Sequence, residues 1–297
     1  MTTDTVALST ASDAAPVLHD HVCLITGATS GIGREAAKAL AGLGATVLLS
    51  GRDRGRGEAT VTEIRQRGGK AEFVAADFSS LKSVRELAAE VRGRHGRLDV
   101  LLNNAGSVNA ERRLTADGIE QTFAVNHLAT FLLTEELRDL LVASAPARVV
   151  TVSSEAHRML KKLDFDNLQG ERRYKPFLAY AVSKLANVLF TYELDRRLAG
   201  SGVTANCVHP GVVRTGIWGS SRGIIRLLTR LAQPFMLSAE RGARPLIKLA
   251  SDPALAAVSG HYFSKENDLR SSPVSYDTRV AARLWEISAE LTRAATL

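Results

Sequence analysis

Two cysteines, three methionines, two tryptophans and a 5% share of aromatics are all that 297 residues carry of those types. Each scarcity excludes something. Cys23 and Cys207 are too few for a disulfide framework or a cysteine-rich metal site. Each stands in an apolar run, VCLIT and TANCVHP, and reads as a small buried hydrophobe suited to a reducing, cytoplasmic setting. The seven histidines lack metal-ligand spacing, so no metal is expected. Residues 1–18 have neither a basic leader nor a long apolar run and read as a flexible tail rather than a signal peptide or a stable membrane anchor. The formal net charge is +7, but with few aromatics and no recognition motif beside the Lys and Arg no nucleic-acid partner is expected. An Arg-rich surface or a pocket for anionic phosphate accounts for the excess.

What remains is an ordinary core-forming composition, 45% hydrophobic and 23% charged. Apolar runs alternate with helical patterns. VCLIT precedes a helix from Gly33, ATVLLS one around Glu58 to Gln66, and AEFVAAD one around Leu81 to Arg94. LDVLLNNAG leads to a helix around Gly118 to Leu140, ARVVTVSS to one from Ala179 to Leu198, and VTANCVHPG follows. Six apolar strands separated by helices predict an α/β fold of Rossmann type, a doubly wound parallel sheet covered on both faces. No linker or internal repeat interrupts the alternation, so residues 19–297 read as one domain. A helical segment at about 216–238 is inserted after the sixth strand. In it Ile224, Ile225, Leu227, Leu228 and Leu231 alternate with Arg222, Arg226 and Arg230, an amphipathic pattern.

The loop after the first strand of such a sheet faces the ligand crevice, and here it reads TGATSGIG. Gly27 ends the strand, Gly31 lets the backbone approach a pyrophosphate, and Gly33 lets the following helix pack on the sheet. Tyr180 and Lys184 are four apart on a helix and project from one face, an arrangement suited to proton transfer because an adjacent ammonium favours phenolate.

TGATSGIG, Asn103-Asn104-Ala105-Gly106 after the fourth strand, and Tyr180-Ala181-Val182-Ser183-Lys184 occur in the order that resembles the short-chain dehydrogenase/reductase family, over roughly residues 20–265. The continuation AYAVSKLANVLFTYEL and the long segment EAHRMLKKLDFDNLQGERRYKPF resemble its retinol dehydrogenase-like branch. The resemblance implies an oxidoreductase that exchanges hydride between a nicotinamide and a CH–OH/C=O pair. It places Gly27, Thr29, Ser30, Gly31, Ile32 and Gly33 at the cofactor phosphates, Asp77 and Phe78 near the adenine, and Asn104, Ala105 and Gly106 along the cofactor. Pro210, Gly211, Val213 and Thr215 fall at the carboxamide. Tyr180 becomes the acid/base, Lys184 its partner and a ribose ligand, Ser154 the hydroxyl that orients the carbonyl, and Asn126 the anchor of a water beside the lysine. Ser153 is the neighbouring alternative to Ser154.

At the end of the second strand Gly51 stands where the family's NAD-using members carry an acid, and Arg52 follows it, which favours NADP(H) over NAD(H). Asp53 is either a helix N-cap or a ribose ligand. The lid-like segment, with Trp218, Ile224, Leu228 and Phe235, suits a bulky lipophilic carbonyl or alcohol, or else packs on a neighbouring subunit of a homodimer or homotetramer. The Arg- and Ala-rich usage hints at a secondary-metabolite enzyme. Within the same fold, epimerisation or dehydration is a rival chemistry, and a non-catalytic NADP(H)-sensing protein a rival class.

Overall fold

The structure, a computed structural model, describes residues 17–213 and 236–294. Strands β1 (Val22–Thr26), β2 (Thr46–Gly51), β3 (Lys70–Ala75), β4 (Val100–Asn103), β5 (Ala147–Val152), β6 (Val203–His209) and β7 (Tyr262–Ser264) run parallel, and β8 (Asn267–Asp268) closes the edge antiparallel. The order β3-β2-β1-β4-β5-β6-β7-β8 reverses between β1 and β4. The reversal opens a crevice beyond the carboxyl ends of those two strands. The six apolar runs read from the sequence are the first six strands. They are continuous because both sheet faces are covered, and all five residues of β1 are buried.

Helices α1 (Gly31–Gly42) and α2 (Arg54–Gln66) lie on one face with α7 (Ala239–Ser251). Their core takes one set of alternating strand residues, including Cys23, Ile25, Val47, Leu49, Val100, Leu102, Val150 and Val208. The opposite set, Leu24, Leu48, Leu101, Val149 and Ala205 among them, packs under α3 (Leu81–Arg94), α5 (Ala129–Ala143), α6 (Pro176–Arg197) and α8 (Thr278–Ala294). Helix starts follow local capping chemistry. Asp53 accepts from Arg56 N at 3.0 Å, Ser80 from Ser83 N at 3.3 Å, and Pro176 begins α6 where its missing N–H costs nothing.

Three differences from the sequence reading have physical reasons. The helix expected from Gly118 instead starts with the short α4 (Gln121–Phe123), passes through a π turn at Ala124–Leu128 and continues as α5. Strand β7 is too short to show a pattern, and α7 and α8 are amphipathic helices outside the strand–helix alternation. Leu18, the last residue of the expected tail, is buried and its N–H donates to Leu43 O at 2.9 Å. Residues 1–16 lie outside the described residues, as do Thr215 and all of the expected lid except Met236, Leu237 and Ser238. Trp218, Ile224, Leu228 and Phe235 are among those outside.

Candidate active site

Residues from β1 and β4 build the floor of the crevice together. Thr26 Oγ1 donates to Leu102 O at 3.3 Å and receives the backbone N–H groups of Asn104 and Ala105 at 2.9 and 3.0 Å. Asn104 Nδ2 answers by donating to Thr26 O at 2.8 Å and Gly27 O at 3.3 Å. Its amide nitrogen therefore staples the two loops. The glycines are required by this closeness: a Cβ on Gly27, whose φ is +66°, would stand 2.9 Å from Ala105 Cα, and one on Gly33 would stand 2.5 Å from both Asn104 Nδ2 and Gly27 O. Ser30 caps α1 without a side-chain hydrogen bond. Ile32 is buried against Val213, which also contacts the site of Gly242.

A cleft of about 380 Å³ opens beside this loop, lined by Thr29, Ser30, Gly31, Arg34, Arg56, Ala59 and Thr60. Two cations line it that the sequence reading missed. Arg34 pairs with Glu63 at 2.6 Å and the exposed Arg56 with Asp53 at 3.1 Å. A basic residue directly after Gly33 was the available signal for the first. Arg56 offered none, since only the fold turns it toward the glycine loop. Arg52 is exposed at the end of β2 and is not among the lining residues. A Cβ on Gly51 would lie 2.8 Å from Thr29 Cγ2, so the place of an acid is crowded by the Thr29 side chain as well as vacant of charge. Asp53 is an N-cap. Asp77 Oδ1 accepts from Ser79 N at 2.9 Å and Ser79 Oγ at 2.7 Å. Phe78, expected beside the adenine, buries its ring in the core with Leu81 and Val84, which leaves only its backbone for a ligand.

Across the crevice, α6 carries Tyr180 and Lys184. Lys184 is 2% exposed. Its Nζ donates to Val152 O at 3.0 Å and lies 5.6 Å from the centroid of the Tyr180 ring. Burial alone brings its ammonium down to about 8. Burial also raises the Tyr180 phenol above its ordinary value, opposed by a side-chain hydrogen bond with Ser154. This corrects the expectation that the neighbouring ammonium would lower it: desolvation by burial is the largest cause and sets the direction. The two serines that directly follow β5 point opposite ways, continuing the strand's alternation. Ser153 turns inward and donates to Lys184 O at 2.9 Å, whereas Ser154 meets Tyr180 and accepts from Ala156 N at 3.3 Å.

Asn126 occupies the π turn, fully buried. Its Oδ1 accepts from Ser107 N at 2.7 Å, and its Nδ2 donates to Ser107 O at 3.0 Å and Ser183 Oγ at 2.9 Å. Both amide hydrogens are committed, so the side chain holds the Gly106–Ser107 loop against α6. A Cβ on Gly106 would lie 3.4 Å from Asn126 Oδ1 and 3.7 Å from Lys184 Nζ. His127, next to Asn126 in the π turn, hydrogen-bonds Ser288 Oγ at 2.8 Å, and burial lowers it to about 4, a neutral core histidine. Pro210 and Gly211 follow β6, Gly211 with φ +95°, and Val213 forms a bridge to Leu237. Among the described residues no group of three or more His, Cys, Asp or Glu is placed to hold a metal, and no helix is long and apolar enough to cross a membrane. Cys23 and Cys207 are buried and unbonded.

The arrangement is a hydroxyl pair over a buried lysine, across the crevice from a glycine-rich loop. The profile of the short chain dehydrogenase family matches residues 21–223. Human retinol dehydrogenase 12 is 44% identical over 272 residues, covering 91% of this chain and 85% of that protein. A solved structure of an uncharacterized Mycobacterium Paratuberculosis protein superposes with a TM-score of 0.75 at 35% identity, covering 94% of this chain and 96% of that one. A short chain dehydrogenase from Burkholderia cenocepacia in complex with NADP does so at 0.67 and 29% identity, covering 83% and 96%. With its fold, its glycine cradle and its Ser154–Tyr180–Lys184 cluster beside these relatives, the chain belongs to the short-chain dehydrogenase/reductase family of oxidoreductases and is retinol dehydrogenase-like.

Proposed function

We propose that the protein is an NADP(H)-dependent oxidoreductase that interconverts a lipophilic aldehyde or ketone and its alcohol, with Tyr180 as the acid/base. The observation that carries the reading is the hydrogen bond between Tyr180 and Ser154 with Lys184 buried behind the ring. A bound dihydronicotinamide supplies the hydride. In the reducing direction, Ser154 Oγ orients the carbonyl oxygen and Tyr180 gives it a proton as the C–H bond forms. The raised phenol keeps that proton available at neutral pH, and the phenolate left behind meets the Ser154 hydroxyl and the Lys184 ammonium. Lys184 then returns a proton to Tyr180, while Asn126 fixes the Gly106–Ser107 loop beside it.

The backbone of the glycine loop and the start of α1 suit a pyrophosphate. Arg52, with Arg34 and Arg56 in the adjoining cleft, supports a 2′-phosphate, and Gly51 offers a ribose no carboxylate. The NADP in the Burkholderia structure supports the cofactor reading, and the names of the retinol dehydrogenase relatives support a lipophilic alcohol or carbonyl. Initial rates of dihydronicotinamide oxidation over a panel of hydrophobic aldehydes and ketones, with NADPH and NADH compared, test the reading. NADPH turnover that falls about 10²- to 10⁴-fold in Tyr180→Phe, with NADPH binding preserved, supports it. Turnover that survives in Tyr180→Phe overturns the assignment, and equal use of NADH overturns the cofactor reading.

A further inference from the structure

Resting on the assignment of Ser154 above, we infer that His157 is a positioning residue that fixes Ser154 against Tyr180 by tying it to a knot of serines near the end of the chain. Ser154 stands two residues past the end of β5 and leads into a 3-10 turn at Glu155–Met159. The turn brings His157 back over its own start. His157 N–H donates to Ser154 O at 3.1 Å, and His157 Nδ1 lies 2.7 Å from the same oxygen. A carbonyl oxygen only accepts, so Nδ1 carries the proton and Nε2 is left as an acceptor. Nε2 is filled by Ser272 N–H at 3.1 Å. The ring is therefore locked as one neutral tautomer between two backbone groups, fully buried, with the Tyr262 ring 4.9 Å away.

The far anchor is itself tied to the helix of the acid/base. Ser271 Oγ meets Tyr192 Oη of α6 at 2.7 Å and Ser275 Oγ at 2.6 Å, and Ser275 Oγ donates to Ser272 O at 2.6 Å. Tyr192 lies three turns along α6 from Tyr180. The chain thus closes a loop from Ser154 through His157, Ser272, Ser271 and Tyr192 to the helix that carries Tyr180 and Lys184. The serine knot lies beyond the stretch matched by the family profile, which ends at residue 223. A ring held on both nitrogens has one position, so the backbone of Ser154 has one position, and its hydroxyl is aimed where the phenol meets it.

The test is a double-mutant cycle on the full-length protein, with kcat, substrate KM and NADPH binding measured well below each variant's melting temperature. His157→Phe in the wild-type background is expected to lower kcat about 10- to 100-fold, as displacement of a reacting group does, with NADPH affinity held within about threefold. The same substitution in a Ser154→Ala background is expected to cost less than about threefold, since there is no hydroxyl left to aim. His157→Asn keeps a donor where Nδ1 stood and is expected to recover most of the lost kcat. If His157→Phe fails to fold, His157→Gln, which keeps a group at the Nε2 position but loses the Ser154 contact, takes its place in the cycle with the same expectation. Equal losses in both backgrounds, or full activity in His157→Phe, overturn the inference. A wild-type protein that reduces no carbonyl overturns the proposed function instead.

Discussion

Replacing Lys184 by methionine is expected to abolish turnover and stabilise the fold. The reason lies in where the ammonium sits. It is 2% exposed, and burial brings it from 10.5 to about 8. At about 1.4 kcal/mol per pH unit, that shift is a penalty of about 3 kcal/mol on holding the charge in the folded chain at pH 7. Methionine has a similar reach and no charge. The hydrogen bond it forfeits, to Val152 O, is worth about 1–2 kcal/mol, and that oxygen keeps Asn187 Nδ2 at 3.1 Å. The net gain is about 1–2 kcal/mol, or a melting temperature higher by roughly 2–6 °C. The pH dependence carries the sign. Below about 8 the folded and unfolded chains are both protonated and the penalty is full. Between about 8 and 10.5 the folded chain loses the proton first, so wild type gains on the variant as pH rises. Thermal denaturation of both proteins at pH 7 and at about pH 9.5 reads this directly. A variant less stable than wild type at pH 7, or a gap that does not narrow at the higher pH, would refute the reasoning.

Three further outcomes follow from the geometry. Ser154→Ala is expected to lower kcat about 10²-fold with stability nearly unchanged, while Ser153→Ala, which removes only the bond to Lys184 O, costs about 1 kcal/mol of stability and leaves kcat within severalfold; kinetics and urea denaturation on the pair separate the roles, and reversed effects would exchange the serines. Gly33→Ala puts a Cβ 2.5 Å from Gly27 O, a backbone atom that cannot step aside, so a loss of about 1–3 kcal/mol and weaker NADPH binding are expected by denaturation and titration. Trp285 stacks on Phe190 at 5.7 Å, meets Phe131 edge-on at 4.9 Å and lies under Arg197 at 4.3 Å, so Trp285→Ala is expected to cost about 3–5 kcal/mol in chemical denaturation, with kcat per folded molecule unchanged.

The sheet was legible because strands covered on both faces are largely apolar, as VCLIT, ATVLLS and ARVVTV are; the one charge among them, Arg148, is half-buried and spends its guanidinium on Leu249 O and Asp252 O. Helix α3 matched at both ends, since Ser80 and the polar residues beyond Arg94 mark its limits. The edge of the sheet was not legible: three residues of β7 hold no periodicity. The π turn at Asn126 left no mark either, because it shifts one turn of an otherwise continuous helix. Tyr180 and Lys184 could be paired from helical spacing, but whether charge or burial governs the phenol depends on what surrounds it, and burial prevails. Ser153 and Ser154 are adjacent in sequence and opposed in space, so the choice between them turns on the strand's pleat. Arg34 had a local signal, the basic residue directly after Gly33, whereas Arg56 is turned toward the glycine loop only by the fold and His157 gains its second partner, Ser272, from far along the chain.

The most direct test of the account follows the hydrogen itself. NADPH carrying deuterium at C4 of the dihydronicotinamide, in each of its two configurations, is incubated with the protein and a lipophilic aldehyde that it reduces, and the product alcohol is analysed by mass spectrometry. The account predicts deuterium on the carbinol carbon from one configuration and none from the other, with no exchange into water. Label retained in the cofactor from both configurations, or product formed with solvent hydrogen at that carbon, would contradict it.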